Sequence, residues 1–73
     1  MKYFIKNLGD GNGAMVYTHA TKPETVVADA TMVEASPELA VKRWMSETFH
    51  RQIVVRSADQ ERFGVWHVDF SLK

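Results

Sequence analysis

The sequence contains no cysteine. This absence excludes a disulfide staple, a thiolate zinc site, an iron–sulfur cluster and a cysteine nucleophile, and it fits a reducing compartment. A domain of this size buries only about 60% of the surface that its unfolded chain exposes. Without a staple, binding to a partner or to a second copy remains as a source of additional buried area.

The chain also lacks a charge excess and a long apolar run. Nine Lys and Arg balance nine Asp and Glu in 73 residues. A dedicated nucleic-acid binder usually carries a basic excess, and a DNA mimic needs an acidic one. No apolar run approaches the roughly 20 residues of a membrane span, and no leader-like segment follows Met1. We therefore expect one cytoplasmic domain, residues 1–73, with no membrane partner.

The first half of the chain predicts strands. Residues 2–8 are rich in aromatic and β-branched types, which favour strands. The glycine-rich residues 9–13 predict a loop, and residues 14–19 a second strand that forms a hairpin with the first. Lys22-Pro23 interrupts any strand there. Residues 30–35 predict a third strand, and residues 26–29 are ambiguous.

Ser36-Pro37-Glu38 is the clearest local signal. Serine is a preferred N-cap, proline suits the first helical position, and an acidic residue in the first turn complements the helix dipole. This predicts a helix over Pro37–Phe49. Four residues fall on one face at helical spacing and form its expected buried side: Ala40, Val41, Trp44 and Thr48.

The second half predicts two more strands. Residues 52–57 predict a strand, residues 58–62 a polar turn, and residues 63–72 a last strand with strict alternation. One side of that strand is expected to lie under the helix and holds Trp66, Val68, Phe70 and Leu72. The fold class is therefore α+β, a four- or five-stranded antiparallel sheet with one helix on one face, in the order β-β-β-α-β-β.

A single helix leaves the opposite face of the sheet open. A mixture of aromatic, aliphatic and charged side chains there resembles an interface core with a polar rim. The alternative is a half-solvated face with scattered apolar residues. A host protein or a second copy, forming a homodimer, is the expected partner. The candidate protein interface consists of Phe4, Lys6, Val54, Arg56, Val65, His67 and Asp69.

Basic residues in the second half suggest a second hypothesis, a small nucleic-acid-binding domain. The excess there is only one charge, but a local patch beside Trp44 or Phe49 would suit stacked bases. Nucleic acid is the less favoured partner. Its candidate contacts are Lys42, Arg43, Arg51, Arg56 and Arg62.

No catalytic, metal or cofactor site is predicted. The three histidines are not at i,i+3 or i,i+4 spacing, so a zincin-type pair is absent. His67 and Asp69 share one face of a strand and suit a carboxylate–imidazole dyad, but no nucleophile has a recognisable setting. The loop at residues 9–13 lacks the Lys and Ser/Thr of a P-loop. We expect a protein that is not an enzyme.

The order of these segments resembles a known group. Residues 3–6 (YFIK), 32–40 (MVEASPELA), 53–56 (IVVR) and a closing aromatic strand are similar in layout to small accessory proteins of phages and other mobile elements, including short anti-CRISPR proteins. The resemblance implies a non-enzymatic inhibitor that docks on a larger host complex and blocks it sterically. It implies no particular functional residues, because such proteins share no single binding site.

Overall fold

The computed structural model describes residues 2–9, 13–18 and 31–73. Predictions for residues 10–12 and 19–30, which include the loop centre, His19 and the Lys22-Pro23 interruption, lie outside the described residues. The elements follow the expected β-β-β-α-β-β order, which confirms the α+β fold class. They are β1 (Lys2–Asn7), β2 (Gly13–Tyr17), β3 (Thr31–Val33), α1 (Pro37–Phe49), β4 (Ile53–Arg62) and β5 (Val65–Leu72).

All five strands belong to one antiparallel sheet with the order β3-β1-β2-β5-β4. The β1–β2 and β4–β5 neighbours are the two expected hairpins. Strand β3 lies on the outer side of β1, with Tyr3 opposite Met32. Strand β2 joins the hairpins by pairing with β5, with Val16 opposite Trp66.

The capping signals of α1 form as expected. Ser36 has extended backbone geometry, and its hydroxyl accepts a hydrogen bond from the Leu39 amide at 3.3 Å. Pro37 occupies the first turn without loss of a hydrogen bond, since the first amides of a helix have no intrahelical acceptor. The helix ends at His50, which adopts the left-handed conformation with φ of 56°, a common way to end a helix.

The core lies between α1 and one face of the sheet. Val68 and Phe70 are fully buried there, and Trp66 and Leu72 pack at its margin, as the alternation of β5 predicts. On the helix, Ala40 and Val41 are fully buried. The predicted helix face is wrong in one respect, because Met45 is fully buried and Thr48 is exposed. The Thr48 hydroxyl donates to the Trp44 carbonyl oxygen at 2.8 Å.

Strand β4 is longer than the sequence predicts. The predicted polar turn at residues 58–62 is wrong, because β4 continues to Arg62 and the chain turns at Phe63-Gly64. Gly64 has a positive φ of 77°, which glycine adopts without steric cost. Since β4 is an edge strand with one face directed away from the core, it tolerates the polar side chains that we interpreted as a turn.

Two irregularities bend β4. The register with β5 shifts between Val55 and Ser57 and again between Gln60 and Arg62, so Arg56 and Glu61 are the extra residues of two bulges. Bulges and charges on an edge strand discourage pairing with other chains. Among the described residues, no helix combines the length and apolar character that crossing a bilayer requires.

Candidate interaction face

The sheet face opposite α1, called the open face below, holds the candidate interface. Directly paired residues of neighbouring strands project to the same side of a sheet. Lys6 pairs with Met15, Met15 with His67, and His67 with Asp59. These four residues form one row across β1, β2, β5 and β4, called the central row. None of the four is fully buried.

An ion pair lies beside the central row. The Arg56 Nε and one terminal nitrogen donate to the two oxygens of Asp69 at 3.0 and 2.8 Å, and that terminal nitrogen also donates to the Phe70 carbonyl oxygen at 3.2 Å. The hydrogen bond from Arg56 is the main cause that lowers the pKa of Asp69, and the same bond raises the pKa of Arg56. Arg56 therefore lies on the open face with Val54, and the bulge brings the next residue, Ser57, to the same face opposite Asp69.

Gly13 makes room for an imidazole on this face. Gly13 pairs with Asp69, and a Cβ at position 13 would lie 3.3 Å from His67 Nε2. The Nε2 atom of His67 therefore lies in the space that a side chain at position 13 of β2 would need. Its charge interaction is a lesser cause of the lowered pKa of Asp69.

The end of the open face beside Tyr17 is not available for contact. Tyr17 and Val65 pair with each other, and each is only 6% exposed. Val65 therefore lies on the expected face of the sheet but presents little of its side chain to a partner. Phe4, opposite Tyr17 on β1, is half-buried, whereas Val54 on β4 is 44% exposed.

The candidate nucleic-acid contacts are spread over the molecule. Arg43 on α1 lies 3.5 Å from Glu34 and 3.9 Å from Glu47, while Arg51 donates to the Lys73 carbonyl oxygen at 3.2 and 2.7 Å. Lys42 borders two shallow grooves beside α1, of about 320 and 340 Å³.

Arg62 ends β4, nine residues beyond Ile53, which is roughly 30 Å at strand spacing. Arg56 is engaged by Asp69 on the open face. Arg62 pairs with Val65 and therefore projects to the open face, as Arg56 does. The structure thus places Arg56 and Arg62 on the open face, whereas Lys42 and Arg43 lie on α1.

The two residues of the predicted carboxylate–imidazole dyad, His67 and Asp69, lie on the open face. Both oxygens of Asp69 accept hydrogen bonds from Arg56. The carboxylate of the predicted dyad is therefore paired with a guanidinium. Within residues 2–9, 13–18 and 31–73, no three His, Asp or Glu side chains are placed to hold a metal ion.

Among the described residues of this face that sequence interpretation missed are Met15, Tyr17, Gly13 and Asp59. Met15, Tyr17 and Gly13 alternate along β2, and that alternation was a usable signal once β1 and β2 were recognised as a hairpin. Asp59 had no such signal, because its side depends on the bulge at Arg56. Comparison with known proteins adds nothing to this geometry, since no family model, curated protein or solved structure matches the chain.

Proposed function

We propose that this chain is a non-enzymatic protein-binding domain that engages its partner through the open face. The observation that carries the proposal is that, among the described residues, α1 covers one face of the sheet and the central row lies on the other. Helix α1 packs on the face that holds Ile5, Val68 and Phe70, and the central row on the other side retains accessible side chains.

The chemistry of the open face supports a protein partner. Apolar surface comes from Met15, Phe4 and the exposed Val54, and charges of both signs surround it. Protein interfaces combine such an apolar centre with a polar rim. The Arg56–Asp69 pair contributes a preformed polar feature, since two parallel hydrogen bonds restrict the guanidinium. A partner that contacts it meets side chains that lose little freedom on binding.

The resemblance to phage accessory proteins suggests what such binding would achieve. A domain of this size that covers a functional surface of a larger host complex inhibits it by steric occlusion. The neutral net charge also favours a protein over a nucleic-acid surface, because phosphate contacts call for a basic patch.

A photo-crosslinking experiment with matched positions tests the proposal. A photoreactive phenylalanine analogue replaces Val54 on the open face in one variant and Leu39 on the outer side of α1 in the other. The two positions are a close match, because Val54 is 44% and Leu39 is 48% exposed. Both variants are irradiated in cells that express the full chain, and the crosslinked species are compared by mass and by protease and nuclease treatment.

We expect the Val54 variant to yield a discrete, protease-sensitive species that the Leu39 variant does not. Lys6→Glu in the Val54 variant should reduce that species, whereas Glu47→Lys on α1 should leave it unchanged. Equal crosslinking from both positions, or none from Val54, would overturn the proposal. A species that nuclease removes would instead indicate a nucleic-acid partner.

A further inference from the structure

The charges of the central row are arranged asymmetrically. Lys6 lies at the β1 end and Asp59 at the β4 end, with Met15 and His67 between them. Adjacent strands are about 4.8 Å apart, so three spacings separate the two charges by roughly 14 Å. Within one chain the two side chains are therefore too distant to form an ion pair.

A two-fold axis parallel to the strands would bring the positive end of the central row in one copy opposite the negative end in a second copy. Two copies of the open face can stack about such an axis through the middle of the central row. The strands of one copy then follow the order β1-β2-β5-β4 from left to right, and those of the other copy follow the opposite order. Lys6 of each copy then lies opposite Asp59 of the other, and Met15 lies opposite His67. The Lys6–Asp59 ion pair therefore forms twice, as an isologous interface requires.

The neighbouring row agrees with the same axis. Gly13 and Asp69 are paired there, so stacking sets Asp69 of one copy opposite Gly13 of the other. His67 Nε2 lies next to the space above Gly13. The carboxylate of each copy would thus approach an imidazole of the other copy.

We propose that the open face binds a second copy of this chain, face to face, about a two-fold axis that runs along the strands. This inference rests on the proposed function and names the partner. An axis perpendicular to the strands would place Lys6 opposite Lys6 and Asp59 opposite Asp59, which like-charge repulsion disfavours. Packed sheets also keep their strands within about 30° of each other, which the parallel axis allows.

The dimer is expected to be weak. Four strands about 4.8 Å apart and five residues of about 3.3 Å give a platform of roughly 19 by 16 Å. This area is well below the roughly 800 Å² per partner of a standard interface. Association should therefore be measured at protein concentrations up to about 1 mM, where even a millimolar dissociation constant leaves dimer populated.

A charge-swap cycle measured by sedimentation velocity tests the axis as well as the dimer. The four proteins are the wild type, Lys6→Asp, Asp59→Lys and the double variant, studied at about 10 mM salt, where the screening length is about 30 Å. Lys42→Asp serves as the matched control, because Lys42 is exposed on α1. Circular dichroism and thermal unfolding verify that each variant is folded.

Each single reversal should raise the dimer dissociation constant by at least about tenfold, because two attractive contacts become repulsive. The double variant should recover most of the wild-type affinity, and Lys42→Asp should change it little. Wild-type chain that stays monomeric at about 1 mM, or a double variant no better than the singles, would overturn the inference. If Val54 still crosslinks to a different protein in that case, the proposed function stands without the self-association.

Discussion

At the scale of single residues, the Arg56–Asp69 pair shows how one side chain gains a defined role from its surroundings. Arg56 is the extra residue of a bulge and is half-exposed, yet both oxygens of Asp69 accept hydrogen bonds from it. The pair fixes the position of two charges on a face that is otherwise open. Because the hydrogen bond from Arg56 lowers the pKa of Asp69, the pair also predicts how the stability of the fold depends on pH.

The lowered pKa of Asp69 gives this contact a predictable pH window. A carboxyl group whose pKa is lower in the folded state stabilises that state above its unfolded pKa of about 4. The contribution is lost as the pH falls from there through the folded-state pKa. The free energy of unfolding of wild type minus that of Asp69→Asn, from urea titrations between about pH 6 and pH 3, should therefore shrink towards acid pH.

Arg56→Gln provides the matching control for that measurement. The difference in free energy of unfolding between wild type and Arg56→Gln should also shrink towards acid pH, because this substitution removes the donor that lowers the pKa of Asp69. The double variant should add little to either single one. A pH-independent difference for Asp69→Asn would show that this pair does not set the pKa of the carboxyl group.

At the scale of elements, α1 shows which part of a helix pattern the sequence specifies. The N-cap at Ser36 follows from a local signal, and the helix occupies the predicted residues Pro37–Phe49. The buried side was only partly predicted, since Met45 packs in the core in place of Thr48. Helical spacing allows either residue beside Val41 and Trp44, and the position of the sheet under the helix selects Met45.

Two substitutions on α1 separate these alternatives. Met45→Ala removes a fully buried side chain and should lower the free energy of unfolding by about 2–5 kcal/mol. Thr48→Ala alters an exposed residue and should change it by less than about 0.5 kcal/mol. Chemical denaturation monitored by circular dichroism provides both values. A larger effect for Thr48→Ala than for Met45→Ala would contradict the packing of α1.

At the scale of the whole molecule, the sheet has a protected centre and two unequal edges. Strands β1, β2 and β5 have a neighbour on each side, and β5 carries Val68 and Phe70 in the core. The edge strands are the three-residue β3 and the bulged β4. This arrangement concentrates stability in the middle of the sheet, where hydrogen bonds and apolar contacts coincide.

Native-state hydrogen exchange should reveal that distribution. The amides of β2 and β5 that bond to neighbouring strands should exchange most slowly, near the rate set by global unfolding. Amides of β3 should exchange faster, because a short edge strand opens without unfolding the core. Slower exchange in β3 than in β5 would contradict this order, and the measurement needs only the wild-type chain.

Local patterns along the chain determine the identity of most elements. Alternation places Val68 and Phe70 in the core and His67 and Asp69 on the open face, and Ser36-Pro37 starts α1, because these features depend on neighbours in sequence. The strand order, the length of β4 and the side occupied by Asp59 come only from the tertiary structure. They depend on pairing between distant segments, where a one-residue bulge reverses every side chain that follows. The central row, and with it the proposed two-fold axis, is therefore a product of register that local patterns do not encode.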